Sequence, residues 1–155
     1  ICPYGKRSKP KSNLVWQMAE KISKPIITNL HVHMDELWGV ECTLFYPGLY
    51  AGTSDCVAVY RGEPAILDFK TSKDFYPDMP IQIHTYKKLV EDSTDYKVEF
   101  LAVINIPKDP VKDVEMRIFQ VKPKYLKGFK ACKYLNSLEE DFKQRNLEYN
   151  KQRSN

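Results

Sequence analysis

The stretch Leu49–Lys73, LYAGTSDCVAVYRGEPAILDFKTSK, constrains the fold more than any other part of the chain. Leu49–Tyr60 and Pro64–Thr71 are rich in Val, Ile, Ala and aromatics and read as β-strands. Arg61-Gly62 separates them, and glycine in a tight turn adopts positive φ without steric cost. If that dipeptide is the whole turn, antiparallel pairing sets Tyr60 against Glu63, Val59 against Pro64 and Asp55 against Asp68. Val57, Val59, Ile66, Leu67 and Phe69 put apolar side chains on both faces, the mark of a strand covered on both sides. An ordinary surface hairpin would alternate polar and apolar residues instead.

Carboxylates side by side in a covered sheet need compensation. Like charges directly opposite one another destabilise a sheet, and burying them adds a desolvation cost. A divalent cation compensates, because hard metals take carboxylate oxygens. Lys70 follows Asp68 at the strand period and so shares its face. Asp55, Asp68 and Lys70 therefore read as a metal-binding pair with a cationic partner.

The order G-x-x-D (Gly52, Asp55), D-x-K (Asp68, Lys70), Q-x-x-x-Y (Gln82, Tyr86) resembles the RecB-type branch of the PD-(D/E)XK nuclease superfamily, from Trp38 to about Ile106. That branch includes phage exonucleases and the mitochondrial genome maintenance exonuclease. The resemblance implies a restriction-endonuclease-like α/β domain, three layers (α/β/α) around a central mixed β-sheet. It also implies a Mg²⁺- or Mn²⁺-dependent deoxyribonuclease, exonuclease before endonuclease, serving replication, recombination or repair. The partner implied is DNA, single-stranded or with free ends. Asp55, Asp68 and the main-chain carbonyl of Phe69 would hold the metal, with Glu41 completing the shell. Lys70 would orient or deprotonate the attacking water, or neutralise charge on the phosphate. Gln82 and Tyr86 would steady the metal shell or the DNA. The compartment implied is a bacterial or phage-infected cytoplasm, or the mitochondrion if a targeting segment has been removed. A non-catalytic DNA-binding or scaffold subunit is the alternative, against which the opposed acids argue.

Register bears on Glu41. It lies on the strand Trp38–Tyr46, which Pro47-Gly48 ends. A two-residue loop there pairs Glu41 with Ser54 and turns it away from Asp55. An odd-length loop, or a bulge at Gly52, restores it.

At 155 residues the chain is expected to form one domain. It contains no run of about 18 apolar residues, and no membrane partner is expected. Because it begins at Ile1, upstream residues are expected to have been removed. A net charge of +4 and a pI near 8.8 are compatible with a nucleic-acid partner. Cys2, Cys42, Cys56 and Cys132 are scattered, without the spacing of a zinc site. The resemblance implies, for some members, an iron–sulfur cluster on one early and three late cysteines; only Cys132 lies late here, so no cluster is expected, and Cys42 and Cys56 read as buried small hydrophobes. His31 and His33 lack the context of the metal-binding histidine that the resemblance implies. They read as surface or hydrogen-bonded histidines, with metal ligation by either as the alternative.

The remaining elements follow from periodicity. Lys6–Lys11 is a basic arm, and Ser12 caps a helix carrying Leu14, Val15, Met18 and Ile22 that Pro25 ends. Leu30–Leu37 adds a helical turn or two. A helix over Ile81–Val90, with His84 pointing away from Gln82 and Tyr86, links strand Pro64–Thr71 to strand Tyr96–Ile106. Val114–Val121 reads as an edge strand. Pro123 opens a helix to about Leu147 with an apolar stripe of Tyr125, Phe129, Cys132, Leu135, Leu138 and Phe142. Lys127, Lys130 and Lys133 on its wetter side, with Lys73, are candidate phosphate contacts. Residues 1–11 and 148–155 are expected to be flexible.

Overall fold

A computed structural model describes residues 13–109 and 112–153. Helix α1 (Asn13–His33) is followed by strands β1 (Met34–Tyr46), β2 (Tyr50–Tyr60) and β3 (Glu63–Lys70). Then come helix α2 (Asp78–Ser93), strands β4 (Phe100–Asn105) and β5 (Glu115–Ile118), and helix α3 (Pro123–Arg153). The strands form one five-stranded mixed sheet in the order β1-β2-β3-β4-β5. All neighbours are antiparallel except β3 and β4, which run parallel across the α2 crossover. This is an α/β fold with helices on both faces of a mixed sheet.

The alternation in β3 and β4 builds two cores. Val57, Ile66, Leu101 and Val103 pack with Ile83 and Leu89 of α2 on one face. Cys56, Ala58, Leu67, Ala102 and Ile104 pack on the other, where Leu30 of α1 and Met34 cover them. The central strands are thus apolar on both sides because both sides are covered. The Arg61-Gly62 turn has positive φ at both residues (55° and 82°), the two-residue hairpin geometry whose twist suits the flanking strands. Tyr60 pairs with Glu63 and Val59 with Pro64, as the turn requires. β5 is an edge strand, as its mixed pattern implied.

Boundaries of α1, β1 and α3 differ from the sequence reading. α1 continues through Pro25 to His33. An interior proline costs a helix about 3 kcal/mol, and contacts of the following turns offset it. Tyr60 donates its hydroxyl to Asn29 Oδ1, and the Arg61 amide donates to the His33 carbonyl. β1 begins at Met34 rather than Trp38, because Met34 pairs with Tyr60 and the Gly62 amide bonds Asp35 Oδ2 at 2.7 Å.

α3 runs to Arg153, beyond the end expected near Leu147. Its apolar stripe is only partly used. Tyr125 and Phe129 pack on His84 and Tyr50, whereas Leu135, Leu138 and Phe142 are exposed. A helix rises about 1.5 Å per residue, so 31 residues of α3 far outrun the 16 of α2 on which it lies. The arm Lys6–Lys11 and the cap at Ser12 lie outside the described residues, as do the side chains of Leu14, Val15, Met18 and Ile22.

Candidate active site

The β2–β3 ladder closes at the Cys56–Leu67 pair. One rung further, where Asp55 would face Asp68, the backbones no longer pair. Asp55 Oδ2 instead accepts a hydrogen bond from the Phe69 amide at 2.6 Å. β2 thus parts from β3 at the position of the two acids, with one carboxylate taking the place of a backbone acceptor. β3 stays paired with β4 as far as Lys70–Asn105, so Asp68 is held on a rigid strand.

Strand alternation from Ile66 places Asp68 and Lys70 on the α2 side. The Lys70 ammonium lies 2.7 Å from Asp68 Oδ2. Asp68 is 2 % exposed, and among the described residues its Oδ2 is met by the Lys70 ammonium alone. Burial raises the Asp68 pKa above the ordinary carboxylate value, and Asp55 pushes the same way, while Lys70 opposes both. A buried carboxylate oxygen met by a single cation is only partly compensated for its lost hydration. Such an oxygen, next to a second carboxylate, is chemically suited to a hard cation.

The α2 motif completes this side. Gln82 Nε2 donates to the Tyr86 hydroxyl at 2.8 Å, and Tyr86 feels the charges of Asp68, Lys70 and Asp55. Its ring lies against Gly52: a Cβ at that position would stand 2.9 Å from Tyr86 Cε1. Gly52 therefore serves close approach of the ring, and the register shifts of the β1–β2 ladder fall between Met34 and Gly39, not at Gly52. Gly52→Ala is expected to destabilise the fold by about 1–3 kcal/mol, as overpacking does, and thermal melting measures it. An unchanged Tm would show that the ring has room to retreat.

Glu41 is level with Asp55 after all. The loop is Pro47–Leu49, three residues long, and Cys42 rather than Glu41 faces Ser54. Glu41 nevertheless adopts φ 52°, leaves the ladder and is exposed. Among the described residues, no three His, Cys, Asp or Glu side chains gather closely enough to hold a metal. The geometry brings together Asp55, Asp68, Lys70 and the Phe69 main chain, with Gln82 and Tyr86 beside them. Glu41 is not gathered with the two aspartates. Lys73 is exposed in the loop after β3, at a polar crevice shared with Asn105 and Lys112. On α3, Lys127 and Lys130 are exposed and Lys133 lies over the Tyr50 ring.

The histidines divide. His33 packs edge-to-face on Tyr60, while His31 is exposed on the rim of a cavity that Asp55 also lines. Sequence reasoning missed His84, which is 2 % exposed. Its Nδ1 lies 2.6 Å from the Pro80 carbonyl, and its Nε2 lies 3.2 Å from the Lys122 amide and 3.3 Å from the Gln120 carbonyl. Burial lowers its pKa, consistent with a neutral ring that ties α2 to the start of α3. No periodicity marks such a clasp. Cys56 is buried, with its thiol pushed up to about 11 by burial and by Cys42 and Asp55, and is a core residue rather than a nucleophile. Cys42 is only half-buried.

No family model and no curated protein matches the chain. Solved structures do. The crystal structure named "Putative exonuclease" from Eubacterium rectale aligns with 86 % of this chain at 17 % identity and a TM-score of 0.52. That of SSO0001 aligns with 70 % at 13 % identity and a TM-score of 0.41, too low to carry an argument. The chain spans 55 % and 53 % of those two proteins' lengths. At this identity the first likeness shows a shared α/β fold. No helix among the described residues is long and apolar enough to cross a membrane.

Proposed function

We propose that this domain is a divalent-metal-dependent deoxyribonuclease of the RecB-type PD-(D/E)XK class, acting on DNA that is single-stranded or has free ends. The observation that carries the reading is the buried Asp68 carboxylate, whose Oδ2 meets only Lys70, beside Asp55 at the point where β2 leaves β3. A structural role accounts for Asp55, which accepts from the Phe69 amide, but not for a second, buried acid beside it. The likeness to a protein named as an exonuclease agrees with this reading.

Asp55, Asp68 and the Phe69 carbonyl would hold Mg²⁺ or Mn²⁺. Such an ion supplies Lewis-acid polarisation of a phosphate and an acidified water. Asp68, fixed in β3, and Asp55, fixed by the Phe69 amide, supply anionic oxygens without reorganising. Lys70, a quarter exposed at its side chain, can leave Asp68 and turn its ammonium to charge developing on the phosphate. Tyr86, held by Gln82, limits how far the substrate or Lys70 can move toward α2. Lys73, Lys127, Lys130 and Lys133 would meet the backbone of a bound strand.

Incubation with linear and covalently closed circular DNA, with and without Mn²⁺, tests the reading. Linear DNA is expected to be degraded and closed circles to persist; cleavage undiminished by EDTA would remove the metal, and rapid nicking of circles would make the enzyme an endonuclease. DNA binding without cleavage under every condition would favour the scaffold alternative. Changing Lys127, Lys130 and Lys133 together to Ala is expected to weaken binding equally across sequences and to make its salt dependence shallower, because phosphate contacts release counterions but read no base. An unchanged salt slope would return these lysines to ordinary solvated surface.

A further inference from the structure

On the face opposite α2, a cavity of about 310 Å³ opens between α1 and β1. Ile27, Leu30, Met34, Leu37 and Val40 give it apolar walls, and Asp55 and Phe69 close one end. We propose that it seats one unpaired nucleobase of the DNA strand being cut. The inference rests on the nuclease reading and adds to it a site that selects single-stranded substrate.

Position is the first reason. Asp55 belongs to both the cavity and the candidate catalytic cluster. Because the β2–β3 ladder has already ended at Cys56–Leu67, the sheet does not wall one off from the other. A nucleotide whose phosphate lies at Asp55 would bring its base to this opening, because Asp55 lines it.

Size and polarity are the second. The volume falls at the low end of the roughly 300–1,000 Å³ typical of small-ligand sites. Leu37 and Val40 remain 40 % and 60 % exposed on its wall, apolar surface that a flat aromatic ring would cover. Charge then discriminates between parts of a nucleotide. Asp35 and Glu36 on the rim oppose a phosphate, yet both are already anchored, by the Gly62 amide and by Trp38 Nε1. A neutral base is not repelled, and carboxylates accept hydrogen bonds from exocyclic amino groups. A base can enter only when unpaired, since a duplex keeps it in the stack.

The test is a double-mutant cycle between protein and substrate. The full chain and its Val40→Tyr and Leu37→Ser variants are assayed with Mn²⁺ on a single-stranded oligonucleotide, intact or abasic at the terminal nucleotide of either end. For wild type, removing the base from the end being cut should lower kcat/KM about tenfold, the scale of losing one seated base. Each variant should lose about as much on the intact strand and nothing further on the abasic one. Equal losses on both strands, or no effect of the abasic position in wild type, would overturn the base site while leaving the nuclease reading intact. Preference of wild type for blunt duplex over single strand would overturn it too. Wild type that cuts no DNA at all would remove the nuclease reading and this inference with it. Matching circular dichroism and Tm among the three proteins separates loss of the site from loss of the fold; Val40 and Leu37 are exposed enough for both variants to fold.

Discussion

Asp68→Asn is expected to abolish cleavage and at the same time raise the melting temperature. Asp68 is buried, burial raises its pKa, and Lys70 compensates only in part. In the metal-free protein the anion is therefore a local cost, which the isosteric amide removes. The sign follows from linkage. A carboxyl whose folded-state pKa lies above its unfolded value binds more protons when folded, so wild-type stability falls as pH rises through that interval. The gain from Asn should be present above the folded pKa and vanish as pH falls below it. The gain is read as a rise in Tm above the folded pKa that shrinks as pH falls toward the unfolded value. Calorimetry across pH, without added metal, measures it. Lower Tm for Asp68→Asn at neutral pH would mean that the Lys70–Asp68 pair stabilises the fold, and that the acid is structural rather than kept for function.

Lys70→Ala is expected to cost about 10²–10³ in kcat with the fold retained, the range seen when one charge-stabilising donor is removed from an active site. KM should change little, because the ammonium acts on charge that develops only in the transition state. The same variant strips the last partner from Asp68 Oδ2, so its carboxyl pKa should rise further and its Tm at neutral pH should fall. Recovery of Tm on adding Asp68→Asn, which abolishes cleavage by itself, would assign the lower Tm to the unpaired carboxylate, and partial recovery of kcat by Lys70→Arg would assign the loss of kcat to the missing charge. Wild-type cutting by purified Lys70→Ala would take the lysine out of the mechanism.

The residues around Arg61-Gly62 determined much of this molecule without help. Positive φ at both turn positions fixes a two-residue hairpin, and that fixes the register that carries Val59 to Pro64. Runs apolar on both faces of β3 and β4 required covering helices, and the D-x-K period put Asp68 and Lys70 on one side. These are local rules, set by backbone sterics and a repeat of two residues. Other features depended on what meets across the fold. Pro25 stays inside α1, and β1 starts early, because contacts with Tyr60 and the β2–β3 turn outweigh local preference. Glu41 is level with Asp55 yet turned out of the ladder by a positive φ that no pattern of side chains announces. The stripe of α3 has the right period but lies on solvent from Leu135 onward, since periodicity says which residues share a face and not whether anything covers it. The parting of β2 from β3, which lets Asp55 bond the Phe69 amide at the edge of a cavity on the far face, was likewise decided only by tertiary structure. Sequence spacing orders residues along a strand; the point at which two strands separate depends on the packing of every layer around them.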